Sequence, residues 1–173
     1  MKNISRLSAF LFFILALNTI QAQDEKPKDY QTPESIVQAI FDFCTVVPGK
    51  TKEWDYISNI VLDKGIFIVR AGSVGYIPID GKELAKILKS DVEKYGLDKS
   101  GYDDRILKVK TVEFGSIATC FVHFESRVPG SSRPPKIGLN MFSMVKKDGR
   151  WWLVSVVEEV VNKDRPIPES IFK

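Results

Sequence analysis

Two apolar runs flank the pentapeptide Lys146-Lys147-Asp148-Gly149-Arg150, so residues 139–161 read LNMFSMV-KKDGR-WWLVSVVEEVV. The pattern predicts a long β-hairpin, because Asp-Gly supplies the positive φ values of a tight two-residue turn. With Asp148 and Gly149 at the turn centre, Val145 faces Trp152, Met141 faces Val156 and Leu139 faces Glu158. The other side pairs Met144 with Leu153, Phe142 with Ser155 and Asn140 with Val157. Neither side is polar through its middle. An antiparallel sheet with one wet face alternates apolar and polar residues, so both faces of this hairpin need a cover.

The hairpin closes a run of strands predicted at 105–114, 116–128, 136–146 and 150–161, in meander order. The polar, proline-rich segment PGSSRPP (129–135) projects from one end of that sheet. Helices come earlier. Thr32-Pro33 is an N-cap followed by proline at the first helical position. Ile36, Val37, Ile40, Phe41, Cys44 and Val47 then recur at helical spacing over 33–47, and Pro48-Gly49 stops the helix. A second helix is expected after Thr51, carrying Trp54, Ile57, Val61 and Leu62 and ending at Lys64-Gly65. Strands follow at 66–70 and 74–79. Asp80, with Glu83 three residues on, caps a third helix carrying Leu84, Ile87, Leu88, Val92 and Tyr95. Helices first and antiparallel strands last give an α+β domain.

Residues 1–22 carry the anatomy of a secretory signal peptide: Lys2 and Arg6, then AFLFFILAL (9–17), then Ile20-Gln21-Ala22. The apolar run is shorter than the roughly 20 residues of a membrane span. The protein is expected to be exported, periplasmic or secreted, with residues 23–32 a disordered leader and 162–173 an extended tail that Ile171 and Phe172 could dock. Removing 1–22 leaves 23 basic against 22 acidic residues, a net charge of +1. Neither a nucleic-acid footprint nor a polybasic membrane patch is supported. Cys44 and Cys120 fall on apolar faces, where buried thiols are favoured over a disulfide. One histidine and two distant cysteines give no metal-ligand spacing, and no cofactor is implied.

Three segments carry a family resemblance: EWDYISNIVLDKGIFIV (53–69), IDGKELAKIL (79–88) and KKDGRWWLVSVV (146–157). Their order and spacing resemble the nuclear-transport-factor-2-like superfamily, including SnoaL-like cyclases and ketosteroid isomerase. The resemblance covers residues 33–161. It implies a cone: three helices wrapped around a strongly curved, mostly antiparallel sheet enclosing a pocket. It also implies a homodimer through the outer sheet face, matching the hairpin's second apolar side. SnoaL-like enzymes often place histidines after the closing tryptophan. Here Ser155, Val156 and Val157 stand there, so no catalytic residue is carried over.

Function stays open between binding, assembly and catalysis, since a fold hosts many functions. The expected main role is binding a small apolar or amphipathic ligand. The alternative is a lyase, isomerase or hydrolase with His123 or Asp63 as general base. Arg70, His123, Asn140 and Glu158 are the polar candidates for orienting a ligand, with Trp152 and Tyr56 as aromatic ones and Tyr76 as a further hydroxyl. Each has a plain structural counterpart: a half-exposed strand histidine, a junction aspartate, packing aromatics.

Overall fold

The structure, a computed structural model, describes residues 30–71 and 75–173. The expected signal peptide lies outside the described residues. Of the expected leader, Tyr30 is instead a core residue, 1% exposed. Its carbonyl accepts from the Trp151 amide at 2.8 Å, which ties it to the closing hairpin.

Helix α1 (Pro33–Cys44) begins as its sequence dictates, with Thr32 Oγ1 accepting from the Ser35 amide at 3.2 Å. Its apolar face buries Ile36, Val37, Ile40 and Phe41. The Phe41 ring centroid lies 6.3 Å from those of Phe124 and Phe142 on the sheet.

The expected second helix is only a 3₁₀ segment, Trp54–Asn59, and Val61 and Leu62 open strand β1 (Val61–Ala71) instead. Backbone geometry explains the difference. Lys64 has φ 63° and the pairing slips between Val61 and Ile66, so a bulge sits where helical periodicity was read. A Cβ at Gly65 would lie 2.5 Å from Val61 Cγ1 and 2.9 Å from the Leu62 carbonyl, which only glycine avoids. Strand β2 (Gly75–Asp80) returns antiparallel. Asp80 Oδ1 then accepts from the Glu83 amide at 2.8 Å and starts helix α2 (Gly81–Tyr95), which Gly96 ends at φ 64°. A short helix, α3 (Leu97–Ser100), occupies what reads as loop.

Strands β3 (Asp103–Phe114), β4 (Ile117–Arg127), β5 (Lys136–Lys147) and β6 (Arg150–Val160) form the meander. The six-stranded sheet has the order β2-β1-β6-β5-β4-β3, with only β1 and β6 parallel. The hairpin keeps the expected register near its turn, pairing Val145 with Trp152 and Met144 with Leu153. Beyond it the register shifts by one residue. Val154 is extra, so Phe142 pairs with Val156, Met141 with Val157 and Asn140 with Glu158. The 3₁₀ turn Glu169–Phe172 docks the tail, with Phe172 lying against His123 and Lys108.

Candidate functional site

Helix α2 carries an apolar stripe that the protein does not cover. Leu84 is buried, but Ile87 is 42% and Tyr95 61% exposed. Together with Leu88 and Val92 they border a cavity of about 620 Å³ whose other walls include Phe41, Phe67, Val69 and Val156. The cavity lies on the face of the sheet that α1 packs against.

One end of that cavity is polar, and strand register accounts for it. Along β4 the inner positions are Ala118, Cys120, Val122, Phe124 and Ser126, all buried. Ser126 pairs with Asp104 on β3 and with Lys136 on β5, which sets three polar side chains in one row. Gly138 follows Lys136 on the same face, then Asn140, whose partner across the ladder is Glu158. Gly138 makes room for the Phe124 ring: a Cβ there would lie 2.6 Å from its edge. Phe124 in turn lies 5.3 Å beneath Lys136 Nζ.

Ser126 Oγ donates to Asp104 Oδ1 at 2.5 Å. Lys136 Nζ lies 3.2 Å from both Glu158 carboxylate oxygens. Burial pushes the Asp104 carboxyl up to about 6, with nearby Glu158 and Asp103 adding to the shift against the opposing pull of Ser126 and Lys136. For Lys136 burial works against the charge, yet Glu158 and Tyr102 outweigh it and hold the ammonium above its ordinary value. Burial also raises the Tyr102 phenol, and pushes the Cys44 thiol up to about 12, leaving it a poor nucleophile. Asn140 Oδ1 is buried with no hydrogen-bond partner among the described residues.

Of the residues singled out from sequence, Arg70, Asn140 and Glu158 border this cavity. Arg70 sits at its rim, 3.4 Å from Glu159, with the Tyr76 hydroxyl donating to the same carboxylate. The other four stand elsewhere. His123 lies on the opposite face of the sheet, its ring 6.4 Å from that of Phe172. Asp63 is exposed in the β1 bulge rather than at a helix end. Trp152 is on the outer face, donating from Nε1 to the Lys147 carbonyl at 3.2 Å and stacked 3.8 Å from the Arg150 guanidinium. Tyr56 bonds the Tyr30 hydroxyl at 2.7 Å and borders a second groove, between the 3₁₀ segment and α2, with Lys82, Lys86 and Lys89. Asp104, Tyr102, Ser126 and Lys136 were not singled out from sequence. The signal available was the inner parity of β4 extended to Ser126, together with its ladder neighbours.

Both cysteines are free thiols, and Cys120 Sγ lies 3.2 Å from Thr111 Oγ1. Among the described residues no group of three or more His, Cys, Asp or Glu is placed to hold a metal ion, and no helix is long and apolar enough to cross a membrane.

No protein-family model and no curated protein sequence matches the chain. Solved structures do. An uncharacterised protein with a cystatin-like fold from Caulobacter vibrioides has a TM-score of 0.58 at 14% identity, covering 76% of this chain and 88% of that one. A nuclear-transport-factor-2-like protein of unknown function from Prochlorococcus marinus has a TM-score of 0.54 at 14% identity, covering 77% and 96%. One from Silicibacter pomeroyi, also of unknown function, has a TM-score of 0.51 at 13% identity, covering 74% and 92%. At these identities the likeness speaks to fold: the chain has the cone-shaped α+β fold of nuclear-transport-factor-2-like, cystatin-like proteins.

Proposed function

We propose that this is an exported protein whose cone cavity binds a small, largely apolar molecule, and that two copies associate through the outer sheet face. One observation carries the binding reading: the apolar stripe of α2 borders about 620 Å³ of open space instead of packing against protein. Exposed apolar surface gathered around a concavity of a few hundred cubic ångströms is the usual form of a small-ligand site. A saturable environment-sensitive apolar dye tests it. One dye per chain is expected, and Leu88→Trp, which puts an indole into the cavity from α2, weakens it at least about tenfold. Unsaturable binding, or binding unchanged in that variant with the fold intact, sinks the proposal. Export rests on residues 1–22 and is tested by whether the mature chain in the cell envelope starts near Gln23.

Catalysis is the second reading, favoured by the Asp104 carboxyl, which titrates near 6 beside an apolar cavity as a general acid or base would. His123 and Asp63, the bases expected from sequence, lie off that cavity, so Asp104 would take the role.

A further inference from the structure

Around Asp104 the cavity is short of one positive charge. Two carboxylates, Asp104 and Glu158, face it from β3 and β6. The cation among them, Lys136, is engaged by Glu158, with 3.2 Å to each oxygen. Asp104 has the neutral Ser126 hydroxyl as its hydrogen-bond donor. Other groups near it are Cys44 from the end of α1, Tyr102 and Asp103, and none is a cation. Arg70 at the rim is directed to Glu159, and Arg133 also borders the cavity, from the exposed segment after β4, while the charges that act on Asp104 are those of Lys136, Glu158 and Asp103. Beside Glu158, the buried oxygen of Asn140 is a further acceptor to which no described residue donates.

We infer that the ligand of this cavity is a cationic amphiphile, an apolar body ending in a protonated amine that sits against Asp104 and Glu158. The inference rests on the binding reading above and names the ligand class for that same site. An occupant excludes water from Asp104, and a desolvated carboxylate needs either a counter-ion or a proton. An ammonium supplies the counter-ion, and its three N–H donors suit the Asp104, Glu158 and Asn140 oxygens. An anionic end group would instead add a third negative charge, and a neutral alcohol would leave the carboxylate uncompensated. Burial is the main cause of the raised Asp104 value, and a second cation beside the carboxylate would oppose it.

Decylamine, decanol and decanoate share an apolar tail and differ in the end group, so titrating each into the protein at pH 7.5 and pH 5 by calorimetry separates the cases. The amine is expected to bind at least about tenfold tighter than the other two at pH 7.5, the scale of an opposite charge near a carboxylate. Its affinity should fall about tenfold at pH 5, where the unliganded protein holds Asp104 protonated. In Asp104→Asn the preference for the amine should disappear. Equal or tighter binding of decanol or decanoate overturns the cationic class while leaving the cavity reading in place. An amine preference that survives in Asp104→Asn, or that does not change between the two pH values, also overturns it. Failure of all three probes together with failure of the dye removes the binding reading itself.

Discussion

Asp104 bears a carboxyl that burial penalises when it is charged, and this makes its effect on stability depend on pH with a definite sign. Its value in the fold is about 6 against an ordinary 3.8. Between those values the folded state holds more protons than the unfolded one, so this group's contribution falls as pH rises from about 4 through 6. A shift of this size is worth about 3 kcal/mol at most. Asp104→Asn removes the charge but keeps the shape. It should be more stable than the parent at pH 8, by about 1–3 kcal/mol in urea denaturation, and equal to it near pH 4. A variant less stable at pH 8 would mean that the carboxylate is compensated in the fold. Gly138 makes the opposite kind of prediction, since a methyl group there meets both the Phe124 ring and the Glu159 carbonyl at 2.6 Å. Gly138→Ala should cost about 1–3 kcal/mol through overpacking, read as a lower urea midpoint with an unchanged slope. At this scale the sequence was only partly legible. Arg70, Asn140 and Glu158 are strand residues whose polarity breaks an apolar pattern, and they do border the cavity. His123 breaks a pattern too, but parity along β4 places it with Thr119 and Phe121 on the outer face. Asp104 lies in what reads as a polar loop and Lys136 at the first position of a predicted strand, and nothing local shows that the fold buries them beside one cavity.

Register decides which glutamate of the Glu158-Glu159 pair enters the cavity, and a bulge decides the register. An unbulged hairpin would continue the parity of Trp151 and Leu153 inward through Ser155, Val157 and Glu159. The extra residue at Val154 turns Val156 and Glu158 inward instead. Glu158 then meets Lys136, with a side chain 18% exposed, while Glu159 meets Arg70 and Arg165 at 35%. Replacing Glu158 by alanine should therefore cost more, about 1–2 kcal/mol, because it removes both 3.2 Å contacts that hold the partly buried Lys136 ammonium. The same change at Glu159 breaks exposed pairs and should cost under about 1 kcal/mol. Chemical denaturation of the two variants gives the order, and an unbulged strand would reverse it. The Asp-Gly turn, the caps at Thr32 and Asp80 and the meander order were all readable, because each is a local rule satisfied within a few residues. Bulges are not local in that sense. Gly65 and Lys64 read as a helix stop, and only the parallel partner β6, distant in sequence, makes that segment a strand.

On the scale of the whole molecule, among the described residues the sheet has helices on one side and a docked tail on the other. The outer face carries Ile66, Val112, Phe114, Met141 and Ile117, with Phe114 83% and Ile117 59% exposed. Ile68, Val157, Met141 and Phe121 cross the central strands in a continuous row. The turn Glu169–Phe172 covers the corner around His123 and Lys108 and leaves that row open. Five strands about 36 Å long and the shorter β2, about 4.8 Å apart, present a face of roughly 900 Å². A standard protein interface takes about 800 Å² from each partner. The two areas match, and a face that covers itself on an identical copy needs no second protein. Light scattering at tens of micromolar should therefore give twice the chain mass. Met141→Lys places a charge in the middle of the row, where it has no partner and must be desolvated on association. It should halve the measured mass while the far-ultraviolet circular dichroism stays that of the parent, since Met141 does not belong to the buried core. A parent protein already monomeric at that concentration would mean that side chains and tail suffice to cover the face. A Met141→Lys variant that remains dimeric would place the interface on another surface.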